Sequence, residues 1–323
     1  MTETYTDMKK LIYVIIVGLT ANLALGQAKF GAYPWTVTLK VVDDNGQPVT
    51  NADASVDYYS KGVSTPIAGL TDTNGLFIAT HTDWSLTLGI QAKKNGYYPT
   101  RIGYQLFAPG QFDAGTVAEN RNGTQMLVLR KISNPIAMYA KQAHAKLQQE
   151  DKPLGFDLEA GDWVTPNGKG FHTDIFFAVH RKIISDREYD CTMTVTFPNK
   201  GDGIAVAPSE SVTGSEFKTS RMASENGYQP ELDLHYSNTN QPASVFGYFI
   251  RVRTELNLDG TVKSALYGKI PGGFRFFAGT KAPRAGMSFD YYLNPTPNNR
   301  NLEFDTKNNL VRDLGEFEGV KEP

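Results

Sequence analysis

The chain has one cysteine, Cys191, among 323 residues, so no intrachain disulfide can form. Stability must come from apolar burial, and the length is sufficient for that. Charge of one sign is also scarce: 32 Lys and Arg against 34 Asp and Glu leave a formal net charge of −2. That balance excludes the basic footprint of a nucleic-acid binder, and no basic run marks an anionic membrane surface. Beyond residue 26 no apolar run approaches the roughly 20 residues of a membrane-spanning helix. The chain also lacks His-Glu-x-x-His, a Gly-x-Ser-x-Gly elbow and a phosphate-cradling glycine loop ahead of a helix. No cofactor is expected.

What is present begins with residues 1–26, which read as an export signal. Lys9 and Lys10 precede an apolar run at 11–19, and Ala24-Leu25-Gly26 places small residues where a cleavage site needs them. Met8 is an alternative start. A retained anchor is the competing reading, but the run is short for a span. The absence of a cysteine near the site excludes a lipid anchor there. The mature chain is therefore expected to be exported (periplasmic, cell-surface or extracellular) with no membrane insertion after cleavage.

Residues 27–132 carry short polar turns between alternating apolar runs. Val37, Leu39 and Val41 share one strand face; Leu86, Leu88, Ile90 and Ala92 share another; Leu127 and Leu129 begin a closing strand. Asp44-Asn45-Gly46 and Thr73-Asn74-Gly75 read as hairpin turns, because Asn and Gly accept positive φ. Neither turn has the Asp-x-Asp-x-Asp-Gly frame with a terminal Glu that a calcium loop needs. Val42-Asp43-Asp44-Asn45-Gly46, Pro48-Val49, Asn51-Ala52, the run from Gly69 to Phe77, and Lys94-Asn95-Gly96-Tyr97-Tyr98 together resemble the carboxypeptidase-regulatory-like domains, a family of transthyretin-like sandwiches. The resemblance covers about 35–132 and implies a non-catalytic accessory module of secreted and surface proteins. It brings no peptidase chemistry. The zinc-binding His-x-x-Glu of that family's catalytic partner is missing, since Ile175 and Ile183 stand where His172 and His180 would need Glu.

Residues 133–153 form a junction. Ser133-Asn134-Pro135 can cap a helix, and Ile136, Tyr139, Ala143 and Leu147 recur at helical spacing, so the pattern predicts a short linking helix over Pro135–Gln149. The alternative is an extended linker, which Pro135 also favours.

From 154 to 323 the period is again two. Ile175, Phe177 and Val179 share a face, as do Tyr189, Cys191, Met193, Val195 and Phe197. Leu232, Leu234 and Tyr236 form a third such set, and Tyr248, Ile250, Val252, Thr254 and Leu256 a fourth. A strand near 262–270 and further strands around Phe274, Phe276, Phe289, Tyr291 and Leu293 follow. The whole is an all-β chain: a transthyretin-like sandwich, then a larger β-sandwich or jelly-roll-like domain. The stretch after Pro295 is expected to be a loop with a strand at 302–304 and a mobile acidic tail.

Reactive side chains are few. Cys191 lies on an apolar strand face and reads as a small buried hydrophobe. His172, Asp174 and His180 fall on one strand face, with His235 and Asp233 able to complete a metal site only if their strand is adjacent. A solvated polar face is the stronger reading. Glu159 and Asp162 flank Gly161 beside Trp163, a carboxylate pair of the type glycosidases use. Aromatic rings at Trp163, Tyr228 and Tyr292 are the ligand-binding candidates, since flat rings stack on sugars or partners at small entropic cost. The sequence therefore favours an exported non-catalytic protein whose second domain binds a glycan, a protein or an envelope component. A secreted carbohydrate-active hydrolase is the alternative.

Overall fold

The computed structural model describes residues 32–83, 87–105, 123–147, 149–209 and 214–323. The expected export signal and Leu86 lie outside them. Among the described residues every regular element is a β-strand, and no helix is long and apolar enough to cross a membrane. The chain divides into two compact units, residues up to 94 with 100–129, and 95–99 with 130–323.

The first unit contains β1 (Tyr33–Asp43), β2 (Asp53–Ser60), β3 (Val63–Leu70), β4 (Leu76–Asp83) and β5 (Thr87–Lys93). After β6 (Tyr97–Tyr98), which counts with the second unit, come β7 (Thr100–Gln105) and β8 (Thr124–Lys131). One sheet has the order β4-β1-β8, with β1 and β8 parallel; the other runs β3-β2-β5-β7. Alternation sets the faces as expected: Val37, Leu39, Val41, Leu127 and Leu129 point inward from one sheet, and Val56, Tyr58, Leu88 and Ile90 from the other. Trp35 meets Tyr58 edge to face at 6.1 Å between ring centroids.

The turns are built from Asx geometry. Asp43 Oδ1 accepts the N–H groups of Asn45 and Gln47, and Asp72 Oδ1 those of Asn74 and Leu76. Thr73-Asn74-Gly75 is not a hairpin, because it carries the chain from β3 in one sheet to β4 in the other. The two-residue hairpin is Lys61-Gly62, with φ of 49° and 80°, the signature of a type I′ turn closing β2 onto β3.

The second unit contains β9 (Ile136–Lys146), β10 (Leu154–Asp157), β11 (Asp162–Trp163), β12 (Ile175–Ser185), β13 (Glu188–Thr196) and β14 (Gly203–Val206). It continues with β15 (Glu231–Ser237), β16 (Gly247–Leu256), β17 (Val262–Pro271), β18 (Arg275–Phe277), β19 (Gly286–Leu293) and β20 (Phe304–Asn309). One sheet runs β11-β10-β12-β13-β15, and the other β14-β16-β17-β19-β9-β20 with β18 on β19. Between them lies a core that includes Phe177, Met193, Cys191, Ile250, Phe289 and Tyr291. An aromatic series threads it: Trp163 to Phe156 at 5.4 Å, Phe156 to Phe289 at 5.4 Å, Phe289 to Phe274 at 5.4 Å, and Phe274 stacked on Tyr248 at 5.8 Å.

Two expectations are corrected here. The predicted linking helix is strand β9, a member of the larger sheet. Its buried residues change parity along its length: Met138 and Ala140 face one core, while Ala143 and Ala145 face the opposite one. That switch, with no break in register against β19, mimics helical spacing in the sequence. The tail expected to be mobile is docked instead. Gln142 N donates to Glu318 O at 2.8 Å, Lys141 pairs with Glu318 at 3.0 Å, and Tyr292 OH donates to Glu322 O at 3.0 Å. The asparagines that suggested a loop work as backbone mimics. Asn309 accepts from Ala140 N and donates to Ala140 O, at 3.2 and 2.6 Å.

The second face of the larger sheet is thus covered as well. Lys269 is only 2% exposed there. Its Nζ donates to Thr219 Oγ1 at 2.9 Å and to Pro323 O at 3.0 Å, and lies 4.6 Å from the Tyr292 ring centroid.

Candidate functional site

The residues singled out from sequence do not converge. Trp163 is 5% and Tyr292 2% exposed, so neither ring offers a free face for stacking. Tyr228 is partly buried, donates to Ser224 O at 2.8 Å and carries Arg251 over its ring. Their burial follows from alternation, since each sits among aliphatic and aromatic core neighbours.

The histidines are also apart. His180 pairs in register with Thr192, and Thr192 with His235, so β13 stands between them. Two strand spacings separate the rings' strands by about 10 Å, too far for a shared ion. His180 Nδ1 instead meets Asp151 at 2.7 Å, and His235 Nε2 lies 3.5 Å from Asp190. His172 precedes β12 and is not on its face; its N–H donates to Asp157 at 3.0 Å.

Glu159 and Asp162 face different hollows. Glu159 opens beside Asp157, Phe171 and His172, and Asp162 beside Lys141, His144 and Glu318. Glu159 is paired with Arg253 at 2.7 Å, while Asp162 accepts the N–H groups of Trp163 and Lys169. The carboxylate pair required by the hydrolase alternative is therefore not formed. Cys191 is fully buried, and burial pushes its thiol above the usual range.

Sequence reasoning missed a slot of about 260 Å³ at the open side of the second unit, where β15 and β18 are edge strands. Two ring pairs line it: Tyr248 stacked on Phe274 at 5.8 Å, and Tyr236 tilted against Phe276 at 4.8 Å. The turn Gly272-Gly273, with φ of 68° and 70°, closes one side. A Cβ on Gly273 would stand 3.1 Å from Val245 and 3.2 Å from Tyr248, so the glycine lets the wall approach closely.

Polar groups share the slot with the rings, and several of them are occupied. Tyr236 OH donates to Phe274 O at 3.3 Å. Arg275 at the rim is tied to Ser288 at 3.1 Å and Asp290 at 3.0 Å. Ser244 and Tyr248 are not so tied. Tyr248 is 5% exposed, burial raises its phenol above the ordinary value, and its hydroxyl has no hydrogen-bond partner among the described residues. The hydroxyl is not among the buried unpaired side-chain atoms, so it is open to the slot rather than sealed in the core. A ring-shaped ligand with one hydrogen-bonding group would satisfy this wall. The signal for the slot, aromatics clustered at 236, 248, 274 and 276, is present in the sequence but reads as core.

No family model matches the chain, and no curated protein does. Among solved structures it is similar to the shaft pilin SpaA of Lactobacillus rhamnosus GG, at 14% identity over 54% of this chain and 91% of that one, with a TM-score of 0.23. It is also similar to a DUF3823 family protein of Parabacteroides merdae, at 9% identity over 80% and 98%, TM-score 0.22. A third is BcpA, the major pilin subunit of Bacillus cereus, at 13% identity over 74% and 97%, TM-score 0.22. Those TM-scores are far below 0.5, so these likenesses carry no weight for function.

Proposed function

We propose that this chain is a non-catalytic binding protein that takes the terminal sugar of a glycan in the slot between Tyr248–Phe274 and Tyr236–Phe276. The observation that carries the reading is the slot walled by two aromatic pairs, into which the Tyr248 hydroxyl opens with no hydrogen-bond partner among the described residues. Aromatic faces accept the C–H side of a sugar ring, and one phenol fixes its orientation. A volume of about 260 Å³ lies below the usual range for drug-sized ligands, which suits a single ring at a chain end. The export reading of residues 1–26 and the accessory-module resemblance of the first domain support a role at the cell envelope, with the glycan or an envelope component as partner.

The test is a panel of reducing and non-reducing oligosaccharides titrated into the full chain by calorimetry. Binding that falls at least tenfold in Tyr248→Phe, with unchanged thermal stability, is the expected result. Saccharide affinity indifferent to Tyr248→Phe, or no saccharide bound at all, rejects the proposal.

A further inference from the structure

An open sheet edge is a template for another chain, and proteins guard such edges with charge or keep them short. Among the described edge strands, β4, β7, β15 and β20 each carry charge, at Asp83, Arg101, Asp233 and Asp305 for example. The edge strands β6, β11, β14 and β18 span only two to four residues. β3 has neither guard. It runs for 8 residues, from Val63 to Leu70, with no charged side chain. Val63 is 63% and Leu70 59% exposed.

The direction of its backbone groups follows from its two ends. The Lys61-Gly62 turn makes Ser60 and Val63 the closing hydrogen-bonded pair. At the other end Thr71 N donates to Ala52 O at 3.0 Å. By alternation Val63, Thr65, Ile67 and Gly69 bond to β2, while Ser64, Pro66, Ala68 and Leu70 turn their N–H and C=O groups to the free edge. Those outward groups meet no other backbone among the described residues. Pro66 sits where its missing N–H costs the sheet nothing.

We infer that two copies of this chain join β3 to β3, antiparallel, about a two-fold axis at Ile67. With Ile67 opposite Ile67, every outward residue faces an outward residue. Ser64 and Leu70 of the second copy exchange both backbone hydrogen bonds, and Ala68 N–H donates to Pro66 O of the second copy. Only the Ala68 carbonyl is left to water. Side chains then meet large against small: Leu70 on Ser64, Pro66 on Ala68, Thr65 on Gly69. Other registers are poorer. An axis at Pro66 sets proline against proline, and one at Ala68 sets Ser64 against Asp72, whose N–H already donates to Leu76 O at 2.9 Å. The missing charge favours a second copy in particular, because a two-fold axis brings a charged edge against its own sign. This edge shares no residue with the slot of the second unit, so the two readings stand or fall separately.

The test is sedimentation of the full chain over a concentration series, with two sets of variants. The parent should show a reversible monomer–dimer equilibrium. Ala68→Lys, at an exposed position with its side chain on the outer face, should weaken the dimer at least tenfold without lowering the melting temperature of the monomer. For the register, opposed Ile67 residues form a non-hydrogen-bonded pair with Cα atoms about 4.5 Å apart, within disulfide reach. Ile67→Cys should therefore cross-link into dimers under copper-phenanthroline, and Ser64→Cys should not; Cys191 is buried and gives no background. A parent that stays monomeric at every concentration, a dimer indifferent to Ala68→Lys, or cross-linking by Ser64→Cys as ready as by Ile67→Cys would each overturn the inference. If Ala68→Lys unfolds the monomer, the cysteine pair alone decides.

Discussion

Arg253 grips Asp174 through two parallel hydrogen bonds, Nε to Oδ1 at 2.7 Å and Nη2 to Oδ2 at 3.1 Å. The grip is possible because β16 shifts register between Val252 and Glu255, where Arg253 adopts a φ of 55°. Asp174 is buried, and burial raises its carboxyl above the ordinary value despite Arg253. Replacing Arg253 with Met leaves that acid without its counter-ion, and should cost roughly 3 kcal/mol in urea unfolding. Adding Asp174→Asn to Arg253→Met should recover most of the loss.

The neighbouring Asp157 sets an acid limit. Burial pushes its carboxyl up, but N–H donors from His172, Ala160, Phe171 and Glu159 outweigh that and hold it below the usual range. A folded-state value below the unfolded one stabilises the fold above about pH 3.9 and is lost as pH falls through the folded value. Asp157→Asn should therefore lose stability at pH 6 and lose less than the parent on acidification, read by melting at stepped pH.

Lys269 acts in the same direction, but at neutral to alkaline pH. Burial lowers its ammonium from 10.5 to about 7. Between those values the unfolded chain binds more protons than the folded one, so stability rises with pH across the window. The full gain is on the order of 5 kcal/mol. Lys269→Met should flatten the slope and raise stability at pH 6, as measured by chemical denaturation at pH 6 and pH 9.5.

Two glycines in the first unit give an internal control. Gly46 and Gly75 have φ of 74° and 73°, so alanine is strained at both. A Cβ at Gly46 meets nothing within 4 Å, whereas at Gly75 it stands 2.4 Å from Val41 O. Gly46→Ala should cost about 1 kcal/mol, and Gly75→Ala clearly more, by comparison of melting temperatures.

Cys191 should stay unmodified by a thiol reagent in the native chain and react at full stoichiometry once unfolded, since the thiolate is the reactive form and the thiol is buried.

Much of the fold was legible because period-two patterning marks any strand with one buried face. Cys191, Met193 and Val195 were placed inward on that ground, and are inward. The pattern fails where both faces are covered. On β9 the buried set passes from Met138 and Ala140 to Ala143 and Ala145, and the sequence then looks helical. It fails again at the bulge, where Arg253 leaves the alternation. The slot was hidden for a different reason. Its walls come from β15, β16 and β18, and each of those aromatics satisfies the rule for a core residue. Only the packed chain reveals that these rings wall an open slot and that the Tyr248 hydroxyl has no partner there among the described residues.

The parity change of β9 ties two interiors to one strand. Phe304 and Tyr292 lean on its first half, and Phe289 and Met287 pack with its second. Pulling the strand out would expose both cores at once, so neither can melt while the other persists. The second unit should thus lose all its structure in one transition, with hydrogen exchange of Met138 and Ala145 amides limited by the same global opening.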